Sequence, residues 1–357
     1  MKNLRVALLF VTSFLLTLII GCKKDEINKP GPSGNNPTGR LSSYFAAGSY
    51  GDIIRYEINS SNKTFSYVNE TTSQSGNGTY VLSSNPNLNG VYEITVGNQF
   101  FYGIEIPGKM FATSLPSGNL SNSLVFGLSS ELDLTTQYSP NDFAGKYLWI
   151  MYHDIEDFEW GGYQIFADGT YTWQYGPEDD NDFNENLHFA GGGSGTWQIS
   201  PTNSSRIQFS EPGMNQVGTV LPGKMMLIDN GVGMGFIAGV KYPSTPVSQS
   251  SIAGNYRWLD VTPEGYLGVG TFTLPASGTN ADYFYKYYNN PYASSGNSTM
   301  FNFRRSTKIN NAYIGEDDWE NDPFYTALII LPNEAILFFT WGDDSGIVSY
   351  GLGAKIN

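Results

Sequence analysis

Tyr163-Gln164-Ile165-Phe166-Ala167-Asp168-Gly169-Thr170-Tyr171-Thr172-Trp173 reads as two short strands joined by a turn. On each side of Asp168-Gly169, apolar or aromatic residues alternate with polar ones, the period of two that separates the faces of a strand. The Asp-Gly pair supplies the backbone freedom that a tight hairpin needs. Other β-rich runs are Ile53 to Ile58, Thr64 to Val68, Val91 to Val96, Tyr325 to Leu331 and Ile336 to Thr340. Beyond the amino-terminal segment there is no long, capped apolar stretch of period 3.6, so helices are expected to be few and short. The expected class is all-β.

Working outward from the hairpin, short phrases recur in one order at intervals near 110 residues. Gly76-Asn77-Gly78-Thr79-Tyr80-Val81-Leu82-Ser83 matches Gly193-Ser194-Gly195-Thr196-Trp197-Gln198-Ile199-Ser200. Ile106-Pro107-Gly108-Lys109-Met110 matches Leu221-Pro222-Gly223-Lys224-Met225 and, more faintly, Leu331-Pro332-Asn333-Glu334-Ala335. Phe143-Ala144-Gly145-Lys146-Tyr147-Leu148-Trp149 matches Ile252-Ala253-Gly254-Asn255-Tyr256-Arg257-Trp258. Repetition of this kind implies homologous modules. Turn-rich linkers at residues 138–142 and 242–248 place the units at 41–138, 139–247 and 248–357. Units of this size, with turns every few residues, suit antiparallel sandwiches or small barrels, and three are too few for the blades of a propeller. The sequence Gly-Lys-Tyr, then Asp168-Gly169-Thr170-Tyr171, then Gly195-Thr196-Trp197 resembles bacterial lipocalin-like lipoprotein domains, which implies a barrel with an apolar interior.

Composition narrows the chemistry. The 357 residues hold one Cys and two His, which excludes disulfide scaffolds, cysteine-ligated zinc, iron–sulfur clusters and three-imidazole metal sites. Aromatic and charged residues each make up 15% of the chain, a balance foreign to disordered proteins. No Gly-x-Ser-x-Gly elbow, His-Glu-x-x-His pair, P-loop or dinucleotide fingerprint in its proper setting occurs.

The amino terminus carries an address. Lys2 and Arg5 precede an uncharged apolar run from Val6 to Ile20, followed by Gly21 and Cys22, so residues 1–21 read as a secretory signal. Leu18-Ile19-Ile20-Gly21-Cys22 resembles a bacterial lipoprotein signal, which implies acylation of Cys22 and anchorage in outer-membrane lipid. Lys23-Lys24-Asp25-Glu26 resembles the export signal of surface lipoproteins in Bacteroidetes-type bacteria, which implies an outward-facing protein. Residues 22–40, rich in Asn, Pro, Gly and Ser, then form a flexible tether. Cleavage removes Lys2 and Arg5 and moves the formal charge from −14 to −16, which disfavours nucleic acid and polyanionic glycans as partners.

Three sets of residues are candidates for function. Trp173 and Tyr175 continue an aromatic stripe from Tyr171, and Tyr283, Tyr285 and Tyr287 form a second, followed by Tyr288, Asn289 and Tyr292. Rings of this kind cover the apolar faces of sugars while Asn and Asp take the hydroxyls; the competing reading is plain core packing. The run from Tyr283 to Tyr288 carries rings on both faces, so one set has to be exposed or covered by a neighbour. A second set, His153, Asp154, Glu156 and Glu159, offers carboxylates for glycan hydrolysis or lyase chemistry. In the third, Asp180, Asp182 and Asn184 begin like a calcium loop but lack its glycine and its final Glu, leaving a solvated acidic loop or weak calcium binding as readings; no other cofactor is expected. The architecture as a whole resembles SusE/SusF-like glycan-binding lipoproteins of outer-membrane uptake systems. That resemblance implies capture of a neutral glycan or similar ligand, with a glycan-degrading enzyme and an adhesion or assembly module as alternatives.

Overall fold

The computed structural model describes residues 40–117, 120–152, 159–176, 189, 191–262, 265–288, 295–319, 322–342 and 346–356. Cys22, His153, Asp154, Glu156, Asp180, Asp182, Asn184, Asn289 and Tyr292 lie outside the described residues. Three closed antiparallel barrels of eight strands follow one another along the chain, so the all-β expectation holds in its barrel form.

Barrel one runs through β1 (Leu41–Gly48), β2 (Ile53–Asn59), β3 (Thr64–Asn69), β4 (Ser75–Leu82), β5 (Tyr92–Val96), β6 (Gln99–Ile106), β7 (Met110–Ser117) and β8 (Leu120–Ser129). Barrel two has β9 (Gly145–Tyr152), β10 (Glu159–Ile165), β11 (Thr170–Tyr175), β12 (Gly193–Ile199), β13 (Ile207–Glu211), β14 (Met214–Leu221), β15 (Met225–Asp229) and β16 (Phe236–Lys241). Barrel three has β17 (Gly254–Val261), β18 (Leu267–Leu274), β19 (Ala281–Tyr288), β20 (Ser295–Arg305), β21 (Ala312–Trp319), β22 (Asp322–Leu331), β23 (Ala335–Gly342) and β24 (Gly346–Lys355). Each barrel is a meander whose last strand pairs with its first.

The period of two divides single strands between two cores. In β9, Tyr147, Trp149 and Met151 fill the lumen of barrel two, while Leu148, Ile150 and Tyr152 join an apolar core shared by all three barrels. The same split separates Tyr44 and Ala46 from Phe45 and Ala47 in β1, and Ile336 and Phe338 from Leu337 and Phe339 in β23. Strands buried on both faces read as continuous apolar runs, whereas β12 and β20, half exposed, alternate.

The repeated phrases have identifiable jobs. Residues Pro140–Phe143 (α1) and Gln249–Ile252 (α2) are single helical turns ahead of barrels two and three. The Tyr147 hydroxyl donates to the Phe143 carbonyl at 3.0 Å, and Tyr256 to Ile252 at 2.9 Å. Lys241 and Lys355 donate to the carbonyls of Ala144 and Ala253. Gly145 and Gly254 follow with φ of 140° and 128°, and a Cβ on Gly145 would stand 2.1 Å from Lys241 Nζ.

The Pro-Gly-Lys turns of barrels one and two meet the corresponding turn of barrel three. Glu334 stands where the other two turns carry Lys, and it accepts from Lys224 and pairs with Lys109 at 3.3 Å. A third Lys here would have assembled three like charges at partly buried positions. This accounts for the change from Lys to Glu334 in the third copy of the phrase.

Candidate functional site

Strand register superposes the three lumens residue by residue. Ala46 pairs with Ile54 and Gly127, Trp149 with Gly161 and Gly239, and Trp258 with Gly270 and Gly353. Two residues further on, Met151 faces Glu159 and Ile237, whereas Asp260 faces Gly268 and Gly351. Three bulky side chains in barrel two thus give way to one short acid and two glycines in barrel three. The space follows: barrel three holds a cavity of about 490 Å³ and barrel two one of about 80 Å³.

The larger cavity lies within the usual range for small-molecule sites. Tyr283, Tyr285 and Tyr287 line one wall, with Trp258, Phe272 and Phe338 among the other rings and Met300 beside them. Ring centroids step 6.1 Å from Tyr283 to Tyr285 and 6.0 Å from Tyr285 to Tyr287. The Tyr283 hydroxyl donates to Asp317 Oδ2, which Ser298 Oγ also approaches, at 3.4 Å. At the far end of the ladder Tyr287 donates to Asp260 Oδ2 at 3.3 Å. Thr326 and Thr340, hydrogen-bonded to each other at 3.0 Å, and Ser349 complete the polar lining. No Lys or Arg lines the cavity among the described residues.

Asp260 is 2% exposed, and its Oδ1 has no hydrogen bond of good geometry among the described residues; neither has Trp258 Nε1. Desolvation lifts the Asp260 carboxyl to about 7, with the hydroxyls of Ser349 and Tyr287 pulling against it. Burial drives the Tyr287 phenol well above its ordinary range, and the neighbouring Asp260 carboxylate adds to this.

Trp173 and Tyr175 line the small cavity of barrel two and occupy the β11 positions that correspond to Tyr283 and Tyr285. The Trp173 indole and the Tyr171 hydroxyl both donate to Glu211 Oε1, at 2.7 and 2.8 Å. Burial, the charge of Glu159 and a hydrogen bond to it push the Tyr175 phenol up to about 12. The two aromatic stripes are therefore one structural feature in two copies, and both turn into barrel lumens rather than outward. The opposite face of β19 is covered by a neighbour: Phe284 enters the shared core and Lys286 Nζ donates to the Tyr102 hydroxyl of barrel one at 2.9 Å.

Tyr288 closes β19. Glu159 starts β10 opposite Met151, inside barrel two; the rest of its proposed catalytic set lies outside the described residues. Among the described residues no group of three or more His, Cys, Asp or Glu could hold a metal ion. Sequence reading passed over Trp258 and Asp260, although alternation from Tyr256 places both on its inward face.

No protein-family model and no curated protein matches the sequence. Solved structures similar to it include a DUF3598-family protein of unknown function from Nostoc punctiforme, 12% identical, covering 60% of this chain and 97% of that one with a TM-score of 0.23. A Bacteroides fragilis protein provisionally named an outer membrane protein is 10% identical over 61% of this chain and 99% of its own, with a TM-score of 0.19. A Nitrosomonas europaea protein provisionally named AttH is 10% identical over 91% of this chain and 98% of its own, with a TM-score of 0.21.

Proposed function

We propose that this chain is a binding lipoprotein, held at the outer membrane through acylated Cys22 and facing outward, whose third barrel admits a small organic ligand into its lumen. The observation that carries this reading is the cavity of about 490 Å³ walled by the tyrosine ladder Tyr283, Tyr285 and Tyr287. Flat rings on one side and hydroxyls of Thr326, Thr340 and Ser349 on the other suit a compact body with an apolar face and polar edges, such as the terminal unit of a glycan. Two carboxyl groups in the lining and no basic residue among the described ones disfavour anionic ligands. Delivery to an outer-membrane uptake complex is the role that fits a tethered binder.

The test is titration of the full mature chain, followed by tryptophan fluorescence and calorimetry, with a panel of neutral glycosides, amines and acids. Saturable binding lost at least tenfold in Tyr285→Ala supports the reading, and a panel without any binder refutes it. For the address, Cys22→Ser should release the protein from the membrane fraction; retention there would overturn the anchor.

A further inference from the structure

We infer that the ligand of barrel three is a protonated amine on a ring-bearing body, its ammonium N–H donated to the Asp260 carboxylate and its body lying along the tyrosine ladder. The inference rests on the binding role proposed above and names the class of molecule bound.

The two acids in the cavity differ in one decisive respect. Asp317 is engaged by the Tyr283 hydroxyl and by Ser298, while Asp260 is almost wholly buried and its Oδ1 has no hydrogen bond of good geometry among the described residues, the Ser349 hydroxyl and the Gly268 N–H only approaching its carboxyl. A buried carboxyl oxygen left without a donor is costly, and a ligand donor placed against it relieves that cost. A charged donor relieves it most, because the attraction acts in a water-poor site with no Lys or Arg among the described lining residues to compete.

The surroundings favour a cation a second time. Tyr287 and Tyr285 turn into the lumen next to Asp260, and aromatic faces attract ammonium groups. The indole N–H of Trp258, also without a partner, asks for one oxygen acceptor on the same molecule. Gly268 and Gly351 keep the neighbouring strands bare: a Cβ on Gly268 would stand 2.1 Å from Asp260 Oδ1, and one on Gly351 2.7 Å from Asp260 Cβ. A side chain at either place would occupy the space beside the acid.

Tyramine and its neutral isostere tyrosol, in which a hydroxyl replaces the ammonium, test the inference on the full mature chain by calorimetry. Tyramine should bind at least tenfold more tightly than tyrosol, and Asp260→Asn, checked for unchanged thermal unfolding cooperativity, should erase the difference. With the wild-type chain alone, tyramine affinity should rise by up to tenfold per pH unit from pH 6 to 7 as Asp260 ionises, while tyrosol stays level. Tyr287 from β19 is the titratable group in direct contact with Asp260, and Tyr283 and Tyr285 from β19 and Asp317 from β21 line the same cavity. Equal binding of the two probes, or a preference untouched by Asp260→Asn, overturns the amine assignment and leaves the binding role standing. Binding of a neutral glycoside from the panel with no binding of tyramine does the same, whereas silence from the entire panel removes both.

Discussion

Barrels one and three bury an acid among tyrosines in the same kind of lumen, with opposite results. In barrel one, Glu105 accepts from the Tyr44 and Tyr92 hydroxyls, each at 2.5 Å, so both carboxyl oxygens are engaged. Around it the rings of Tyr56, Phe65 and Phe111 lie 5.3 to 5.9 Å apart and fill the space. In barrel three, Asp260 is one methylene shorter, sits between glycines, has no hydrogen bond of good geometry on Oδ1 among the described residues, and lines an open cavity. One scaffold therefore gives a ring-filled lumen where both oxygens of the acid are well bonded and an open cavity where they are not. What differs is side-chain volume at a few inward positions, not strand number or topology.

The largest expected effect tests that contrast directly. Phe111→Ala in the filled barrel should cost about 3–5 kcal/mol in denaturant unfolding, the usual range for truncating a core Phe. Phe338→Ala, which borders existing empty space, should cost roughly 1–2 kcal/mol less because part of its contact surface is already missing. Equal costs would mean that barrel three is packed as tightly as barrel one.

Second comes pH. Burial raises both Asp260 and Asp229 to about 7, with Asp52 adding to the shift on Asp229. A carboxyl raised on folding holds its proton in the native state while the unfolded chain has lost it, so stability falls as pH climbs from the unfolded value towards 7. Between pH 5 and 8 the loss should reach about 2–3 kcal/mol for each group. Asp260→Asn and Asp229→Asn should each flatten the profile by one share. Ser349, Tyr287 and the Gly268 amide face the first acid, and Asp52 and the Gly231 amide the second. A melting temperature that rises over this range would contradict the burial of both acids.

A smaller effect concerns the junction. Glu334→Lys restores the repeat and sets three ammonium groups together, which should cost on the order of 1–2 kcal/mol at low salt and less at high salt, since these side chains are partly exposed. Smallest of all, Tyr285→Ala should change stability by under about 1 kcal/mol while weakening the proposed ligand binding at least tenfold, because its ring lines a cavity that is already open.

Much of the fold was legible because it is written in short-range signals. The Asp168-Gly169 hairpin, the recurring Ala-Gly-x-Tyr phrase and the Pro-Gly-Lys turn each report a local geometry that any copy must repeat. Closure into barrels was less legible, since pairing of β9 with β16 or β17 with β24 joins residues 84 to 99 positions apart. The stripes were found, but their direction was not. Period two says that Tyr283, Tyr285 and Tyr287 share a face without saying which side of the sheet is the inside. Asp260 escaped notice because a lone acid after an apolar run looks like a strand end, and only the paired glycines on β18 and β24 reveal the space it commands.

The mixed-sign contact of Lys109, Lys224 and Glu334 bears on how such a molecule can be made. A ring of three identical subunits must repeat the same side chain at every equivalent corner, so attraction between unlike corners is closed to it. Fusion into one polypeptide lifts that restriction and lets a single copy diverge. Exchanging the third barrel for a duplicate of the second would return a lysine to that corner, so electrostatics disfavours three identical modules.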